Sequence, residues 1–522
     1  MNQTSTRAWQ AYEAGKEYKR RIGLYETVRR NERFYRGDQW YDSHSELPRP
    51  VFNLVRRITD HLVCSVIPGD ISIHYTDDKL PFLQSSELKE RVTRGLEILD
   101  RNAAYRWKRD EMQAMMHQAL LNAAVSGDGI FYCWWDDSER DGQLYHGDVH
   151  TELIGNANLF VADVNRSDLQ SQEYILLSGR ASVDALRREA IAAGVDQKQI
   201  ATILPDGNDE PTAAERGAIE LDGNEKATYL LHFFREDGEV IFEKSTRDCV
   251  IKRVRTGLRL YPVTYFNWSP TKGSFHGSAP VSDMIANQRY VNTAYSMAMK
   301  HMYDTAFSKV IYDKSRIPEW SNTVGEAIAA VGGGNVSDAA TVLGVGKLQD
   351  GYLDLIANVI ENTKKMMGAT DAALGDASAN NTSALMLLQQ ASKQSLRQVE
   401  SAFCRCIGEL ASIWADMLCT YCPKDRLLAA IDGDEIVARV PDYQLLKSEL
   451  LRANAVISST TLYTPASTVS LLDKLLESGQ ISAKQYVKLL PDGSLEGRET
   501  LLQALEANED THSDRKEPRK NE

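Results

Sequence analysis

The sequence lacks the features of a secreted protein and of a membrane protein. It has seven scattered cysteines in 522 residues, and no cationic and then apolar leader begins it. We therefore expect reduced thiols in a protein that is not secreted. No apolar run approaches the about 20 residues that a membrane helix needs. The nearest candidate, residues 112–127, is interrupted by glutamine, histidine and asparagine and predicts an amphipathic helix with no membrane role.

Motifs of catalysis are also missing. Gly346-Lys347 does not complete a phosphate-binding loop, because Thr341 and Leu348 stand where that loop needs glycine and a hydroxyl residue. No nucleophile elbow, zinc-protease motif or dinucleotide fingerprint occurs. Asp77-Asp78 and Asp136-Asp137 are carboxylate pairs of the kind that a two-metal nuclease uses, but they lack the companions of such a site. We expect no catalytic residues and no cofactor.

Four cysteines lie close together in the chain, at 404, 406, 419 and 422. Pairs spaced in this way bind zinc in some proteins. Here the pattern predicts a helix, on which residues two apart point in nearly opposite directions. Cys406 falls on the apolar stripe and Cys404 does not. We therefore expect buried or half-buried thiols and no metal site.

The charge is acidic overall and unevenly distributed. The formal net charge is -13, which excludes uniform cationic capture of a phosphate backbone but not a nucleic-acid partner. The first 60 residues carry 12 Lys or Arg against 8 Asp or Glu, so this part alone is basic. The simplest interpretation of this basic opening is a solvated helix surface.

Hydrophobic periodicity predicts mainly helices in the first 130 residues and short strands up to residue 270. The predicted N-terminal helices cover 7–36, 53–67, 87–100 and 105–126, with strands at 70–75 and 130–135. The β-rich region has predicted strands at 160–161, 174–177, 229–234, 240–243 and 261–268, and a helix at 182–193. The predicted fold class is therefore α+β with a predominance of helix.

The second half of the chain predicts a helical hairpin followed by further helices. Two helices, 281–307 and 352–367, flank a compact insertion at 308–350 with strands at 309–312 and 340–345 and a helix at 322–330. Residues 368–381 are almost entirely small or polar and predict a loop. A helix at 382–421 of about 60 Å follows. Three more helices are predicted at 443–451, 464–477 and 482–490, and the tail after residue 505 is expected to be disordered.

Short motifs in a fixed order resemble the portal (head-to-tail connector) proteins of tailed bacteriophages. The motifs are Glu32 to Trp40, Arg49-Pro50 with Asn53-Leu54-Val55, Tyr261-Pro262, and His276 to Pro280, together with Gln288, Asn292, Gly375 and Asn381 to Ala384. The resemblance covers residues 20 to 490. One departure from many relatives is Ala384, where glycine is expected after Ser383.

The resemblance implies a portal-like division of the chain. The expected regions are a wing at 1–278, stem helices at 279–307 and 351–367, a clip at 308–350, a tunnel loop at 368–382, a wing helix with its following segment at 383–455, a helical crown at 456–505 and a disordered tail at 506–522. Stem positions would include Gln288, Asn292, Lys364 and Lys365. Tunnel-loop positions facing DNA would include Gly368, Thr370, Asp371, Gly375, Asp376, Asn380 and Asn381.

The resemblance further implies a function without chemistry in the chain itself. Twelve copies would form a ring at one capsid vertex, through which double-stranded DNA is packaged and ejected without sequence specificity. The clip would bind the terminase large subunit and later a head-completion or tail adaptor, and the wing would contact major capsid and scaffold proteins. The protein would lie in the virion, and in the host cytoplasm during assembly.

Two other classes of function remain open from the residues alone. A cytosolic nucleic-acid-processing enzyme would need a metal or nucleotide site that the sequence does not display. A regulatory DNA-binding protein would use the basic N-terminal helix and form a small oligomer. Particle mass and ring images distinguish these alternatives from a portal.

Overall fold

The computed structural model describes residues 6–40, 47–67, 70–77, 85–140, 147–207, 225–306, 310–342 without 322, 324 and 325, 351–369, 394, 396–422, 428–432, 435–439, 446, 451–458 and scattered positions from 472 to 487. The chain divides into two compact units. Residues 1–67 and 73–454 form the first unit, and residues 68–72 and 455–522 form the second. Nearly all described elements lie in the first unit.

Helices and strands alternate in blocks along the chain. The first block is α1 (Arg7–Arg21), α2 (Leu24–Arg36), α3 (Leu54–Val66), β1 (Asp70–Asp77), α4 (Ser86–Arg109) and α5 (Met112–Ser126). The second is β2 (Asp128–Asp136), β3 (Asp148–Ile154), β4 (Leu159–Val161), β5 (Tyr174–Ser182), α6 (Val183–Ala192), α7 (Gln197–Ile200), β6 (Lys226–Glu236), β7 (Glu239–Ser245), β8 (Val250–Arg255) and β9 (Val263–Asn267).

The last block contains the helical hairpin and the C-terminal elements. These are α8 (Pro280–Ala306), β10 (Val310–Tyr312), a 3₁₀ turn (Val336–Asp338), β11 (Ala340–Val342), α9 (Tyr352–Met366), α10 (Arg397–Tyr421), β12 (Leu428–Asp432), β13 (Glu435–Arg439) and β14 (Leu451–Ser458). The mixture of helix and sheet agrees with the α+β class expected from the sequence.

The predicted helix at 7–36 is two helices, so this prediction is wrong at its centre. Gly23 lies between them with φ +68°, a left-handed conformation that glycine adopts without strain. The boundary predicted near residues 101–104 is also wrong. There α4 continues to Arg109, and the chain turns at Glu111, a non-glycine residue with φ +48°.

One further prediction of helix is wrong, another is wrong at its end, and several strands were not predicted. The described residues 326–330 are not helical, although alanine and isoleucine there suggested a helix at 322–330. The helix predicted at 443–451 is wrong at its last residue, because Leu451 begins β14, whereas Leu446 is helical and the other predicted residues lie outside the described residues. β12 and β13 pair as an antiparallel hairpin with Asp432 opposite Glu435. β3 and β8 were also missed.

A five-stranded antiparallel sheet with the order β4-β5-β6-β7-β8 carries a helix on each face. On one face α1 packs against Phe160, Leu176 and Leu230. The close approach requires Gly15, where an added Cβ would lie 2.6 Å from the Phe160 ring. On the other face α6 packs through Val183, Leu186 and Ala190 against the side chains of Ala227, Cys249 and Ile251.

A three-stranded sheet with the order β3-β2-β9 lies against α10. β2 is a nearly continuous buried apolar strand, as expected for a strand covered on both faces. Phe266 of β9 meets Phe403 of α10 edge-to-face at 5.2 Å. The Trp414 indole N–H donates to Thr151 Oγ1 at 2.9 Å. α10 begins at Arg397 with Leu396 as its N-cap residue, and most of the earlier part of the helix predicted from 382, residues 382–393, lies outside the described residues.

A buried ion pair joins α4 to β3. Arg106 donates to Asp148 Oδ1 at 2.6 Å and to the Val149 carbonyl at 2.9 Å, and Arg109 also contacts the Asp148 carboxylate. Burial favours a higher pKa for Asp148, but the charges and hydrogen bonds of the two arginines outweigh it and lower the pKa to about 2. The pair therefore stabilises the fold only while Asp148 is ionised.

We expect Asp148 to make the fold acid-sensitive. Its stabilisation, about 2 kcal/mol, is present above the unfolded pKa of about 4 and is lost as the pH falls towards 2. Urea unfolding followed by tryptophan fluorescence from pH 7 to pH 2 measures this loss. In Asp148→Asn the free energy of unfolding is lower at neutral pH and falls less on acidification. The exposed control Asp137→Asn retains the wild-type pH dependence.

Candidate functional site at the base of the helical hairpin

Helices α8 and α9 form the hairpin predicted from the sequence. Their contact is a small apolar cluster of Val291, Ala294 and Ile356. Two polar contacts fix the register of the helices. The Tyr352 hydroxyl donates to the Ala294 carbonyl at 3.1 Å, and Asn287 Nδ2 donates to Thr363 Oγ1 at 3.0 Å.

Gln288 ties the beginning of α8 to the N-terminus of α3. Its side chain is 1% exposed. Its Oε1 accepts from the backbone N–H groups of Leu54 at 2.9 Å and Val55 at 3.3 Å. Its Nε2 donates to the Phe52 carbonyl at 2.8 Å and to Asn292 Oδ1 at 2.9 Å. One amide thus satisfies backbone groups that the first turn of α3 leaves without intrahelical partners.

Asn292 continues this network to the segment after α2. Its Nδ2 donates to Gln39 Oε1 at 2.7 Å. Gln39 Nε2 in turn donates to the Phe34 carbonyl at 3.0 Å and to Asn53 Oδ1 at 3.1 Å. Asn53 is the N-cap of α3, since its Oδ1 also accepts from the Arg56 N–H at 3.1 Å. Gln39, Gln288 and Asn292 are all buried.

The network therefore joins two neighbouring motifs near the N-terminus to residues of α8 more than 230 positions further along the chain. Gln39 belongs to the motif 32–40, Asn53 follows Arg49-Pro50, and Gln288 with Asn292 lies on α8. Buried amides of this kind are costly when unpaired and specify one arrangement when paired. The three motifs together position the base of the hairpin.

A second buried network lies just before α8 and centres on Asp128. Its carboxylate accepts from His276 Nδ1 at 2.7 Å, Asn267 Nδ2 at 2.7 Å, the Gly277 N–H at 2.8 Å and Asn156 Nδ2 at 3.1 Å. The Asp128 side chain is 0% exposed. The motif 276–280 is thus held against the first residue of β2.

Glycines allow the backbones to meet beside Asp128. A Cβ on Gly127, which has φ +98°, would lie 2.5 Å from the Gly277 carbonyl oxygen. A Cβ on Gly277 would lie 2.9 Å from the Gly127 carbonyl oxygen. Side chains at either position would separate β2 from the segment that leads into α8.

Lys19 of α1 connects to the same network from the other side. Its Nζ donates to the carbonyls of Asn156 at 2.7 Å, Ala157 at 2.9 Å and Leu159 at 2.5 Å. Burial lowers the pKa of Lys19 well below its usual value, and the Asp128 carboxylate partly opposes this shift. Asn156 contacts both Lys19 and Asp128, so α1 and the start of α8 share one polar network.

The hairpin leaves large apolar side chains uncovered in the single chain. Met302 and Tyr303 of α8 are 66% and 67% exposed, and Leu353 and Met366 of α9 are 58% and 73% exposed. Others exposed on these helices are Tyr290, Met297 and Leu355. Large exposed apolar patches mark interaction surfaces in soluble proteins, and the number of uncovered side chains on these two helices is consistent with such a surface.

The structure places the predicted site residues in two groups. Gln288 and Asn292 lie in the buried network, whereas Lys364 and Lys365 lie in the last turn of α9, where cations complement the helix dipole. Gly368 ends this helix with φ +71°. The predicted tunnel-loop positions Thr370, Asp371, Gly375, Asp376, Asn380 and Asn381 lie outside the described residues.

The sequence reasoning missed Asp128, Lys19, Asn156 and Asn267. A signal was present, because Lys19 repeats at helical spacing with the apolar Ala8 and Tyr12 and so falls on the packed face of α1. Asp128 stands in Gly127-Asp128-Gly129, a pattern that indicates only a turn before the strand predicted at 130–135. Its four donors come from separate parts of the chain, and spacing does not reveal them.

The cysteine positions agree with the helix argument. Cys406 and Cys419 of α10 are buried, and Cys404 is partly exposed. Burial raises the pKa of the Cys404 thiol to about 12 and also raises that of Cys406. Within the described residues, no group of three or more His, Cys, Asp or Glu side chains is arranged to hold a metal ion.

None of the described helices has the length and hydropathy needed to cross a membrane.

A comparison with protein families gives a match over the region around the hairpin. No curated protein sequence matches the chain. A family model described as "Phage P22-like portal protein" matches residues 259–442. The match begins before the motif 276–280 and includes both hairpin helices, the insertion between them and α10. The resemblance predicted from the sequence is therefore confirmed over residues 259–442, and this match supports a tailed-phage portal protein.

Proposed function

We propose that the chain is the subunit of a ring of twelve copies at one capsid vertex, through which double-stranded DNA is packaged and ejected. The match to phage portal proteins over residues 259–442 is the observation that carries this proposal. Subunits of such a ring would lie in the virion, and in the host cytoplasm before assembly. The expected role needs no catalytic residue, metal or cofactor.

The uncovered side chains of α8 and α9 support ring formation. A second copy of the chain would bury Met302, Tyr303 and Leu353, and burial of apolar surface drives most protein association. The buried network at Gln288 and Asn292 would hold the hairpin at one angle, which identical contacts around a closed ring require. The hairpin is thus proposed as the stem of the ring.

The tip of the hairpin is proposed as the clip that binds the terminase large subunit and later a head-completion adaptor. Its described part has a small interior, with Ile317 and Ala339 buried and Tyr312 stacked on Trp320 at 5.2 Å. Several apolar side chains there remain exposed. They are Ile311, Val331, Val336 and Val342. The wing at 1–278 would contact major capsid and scaffold proteins.

A charged substitution on the hairpin is expected to prevent ring assembly without unfolding the subunit. Met297 of α8 is 54% exposed, and its sulfur accepts a weak contact from the Tyr352 hydroxyl at 3.9 Å, so Met297→Lys removes little packing from the single chain. A lysine at a subunit contact would lose hydration without a partner. Native mass spectrometry should show monomers, with circular dichroism unchanged. Lys198→Glu, on the exposed helix α7, is the control and should form rings.

Rings of Met297→Lys with wild-type mass and wild-type thermal stability would contradict a subunit contact at this face of α8.

Acidic loop residues are proposed to keep DNA from adhering to the channel. The double substitution Asp371→Lys with Asp376→Lys adds positive charges that can bind DNA phosphates. We expect heads that still assemble but package or retain DNA differently, and this difference should become smaller as the salt concentration rises. DNA content per head measures the effect. Asp371→Asn with Asp376→Asn is the matched control with the smaller charge change. Wild-type packaging and ejection in the lysine variant, together with tolerance of a deletion of several loop residues, would favour a surface linker.

A further inference from the structure

Strand β8 forms one edge of the five-stranded sheet. It pairs with β7 on one side, from Ile241 opposite Arg255 to Ser245 opposite Val250, and no described strand lies beyond it. An edge strand presents backbone N–H and C=O groups that a further strand can pair with. The length of β8, six residues, is sufficient for a strand ladder.

β8 is also the most exposed strand of this sheet. Only Ile251 is buried, in the apolar cluster with α6, while the other five residues are exposed. Val250 and Val254 are 38% and 37% exposed. Five of the six residues of the edge strand are therefore exposed in the described part of the chain, and the two valines are β-branched residues that favour strand pairing.

The segment around β8 is basic in an acidic protein. Residues 244–259 contain six Lys or Arg and one acidic residue, whereas the whole chain has a net charge of -13. Arg253 lies 2.6 Å from Glu236, and Arg255 lies 3.6 Å from Asp237. Both pairs are on the surface, where ion pairs contribute little and exchange readily for a new carboxylate. Lys252 has no ion-pair partner among the described residues.

Charged edge strands commonly prevent a sheet from pairing with copies of itself. At β8 a second copy would place Lys252, Arg253 and Arg255 against the same positive charges. An acidic strand would instead be attracted, because its carboxylates would neutralise the positive charges of β8. Duplex DNA would contact the arginines but would leave the backbone groups of the edge unpaired.

We propose that β8 is a docking edge for an acidic, extended segment of a partner protein, which adds to the sheet as a further strand. Main-chain hydrogen bonds would provide affinity, and the basic side chains would select the acidic partner. The proposal concerns the wing surface and does not depend on ring formation or on DNA passage.

The test uses the full-length protein and an eight-residue peptide of alternating glutamate and valine. Fluorescence anisotropy should show saturable binding, and hydrogen exchange should show slower exchange of β8 amides when the peptide is bound. The same peptide methylated on alternate backbone nitrogens keeps its charge. It loses the N–H donors along one edge of the extended peptide, so its binding should weaken at least about tenfold. Equal binding of both peptides would overturn strand addition.

Two variants separate this edge from general charge effects. The triple variant Lys252→Glu, Arg253→Glu and Arg255→Glu should weaken peptide binding at least about tenfold. The control variant Arg188→Glu, Lys198→Glu and Lys272→Glu, at exposed positions, changes the net charge equally and should leave peptide binding unchanged. The proposal is overturned by equal losses in both variants, or by no peptide binding. It is also overturned if a short DNA duplex, and not the peptide, protects the β8 amides.

Discussion

Asp128→Ala is expected to lower the free energy of unfolding by about 3 to 5 kcal/mol and to abolish ring assembly. The substitution removes a carboxylate that accepts four hydrogen bonds inside the protein. It leaves the side chains of Asn267 and His276 and the Gly277 N–H without their acceptor, and removes the negative charge that acts on buried Lys19. Urea unfolding and native mass spectrometry measure the two effects.

Asp137→Ala provides the matched control, because this aspartate is exposed on the turn after β2. Its free energy of unfolding should change by no more than about 0.5 kcal/mol. Combining Asp128→Asn with Lys19→Met should cost less than the sum of the single changes, since the double variant removes both buried charges. Additive costs, or stable rings in Asp128→Ala, would show that this network does not hold the base of α8.

Gln288→Leu is expected to destabilise the base of the hairpin by about 3 kcal/mol. The apolar side chain has nearly the same size, so the loss comes from polar groups left without partners. These are the N–H groups at the start of α3, the Phe52 carbonyl and Asn292 Oδ1. We expect subunits that remain folded but give rings of mixed size or no rings. Hydrogen exchange should show faster exchange in the first turn of α3.

Gln118→Leu is the comparison for this change. Gln118 is exposed on α5, and among the described residues its side chain bonds only to Asn122 one turn away, so its replacement should alter the free energy of unfolding by a few tenths of a kcal/mol. If Gln288→Leu behaved like this control, the amide would be dispensable for positioning the hairpin.

The hairpin shows what the sequence predicts reliably. The helices predicted at 281–307 and 352–367 are observed as Pro280–Ala306 and Tyr352–Met366. Their apolar and small residues repeat at helical spacing, Pro280 begins the first pattern, and Gly351 and Gly368 flank the second. The first helix of the chain was harder to delimit, because Gly23 interrupts a periodicity that continues across it.

The contacts of the site were not predictable in the same way. Gln288 and Asn292 were identified as part of a motif, but their partners Gln39 and Leu54 are more than 200 residues away in the chain. Lys19 was counted with a basic surface, although it is 2% exposed. Net charge describes composition, and only the packing of α1 on the sheet shows which charges are buried. β12 and β13 were missed for a different reason, because their pairing is local but their apolar runs are short.

The central claim, that this chain forms a ring-shaped DNA channel, is tested most directly by electron microscopy of the purified full-length protein. Class averages recorded over a range of protein concentration and salt should show closed rings of about twelve subunits with a central opening, and the same sample should give the corresponding mass by native mass spectrometry. Monomers or dimers under all of these conditions, or rings in which α8 and α9 lie away from the neighbouring subunits, would contradict the claim.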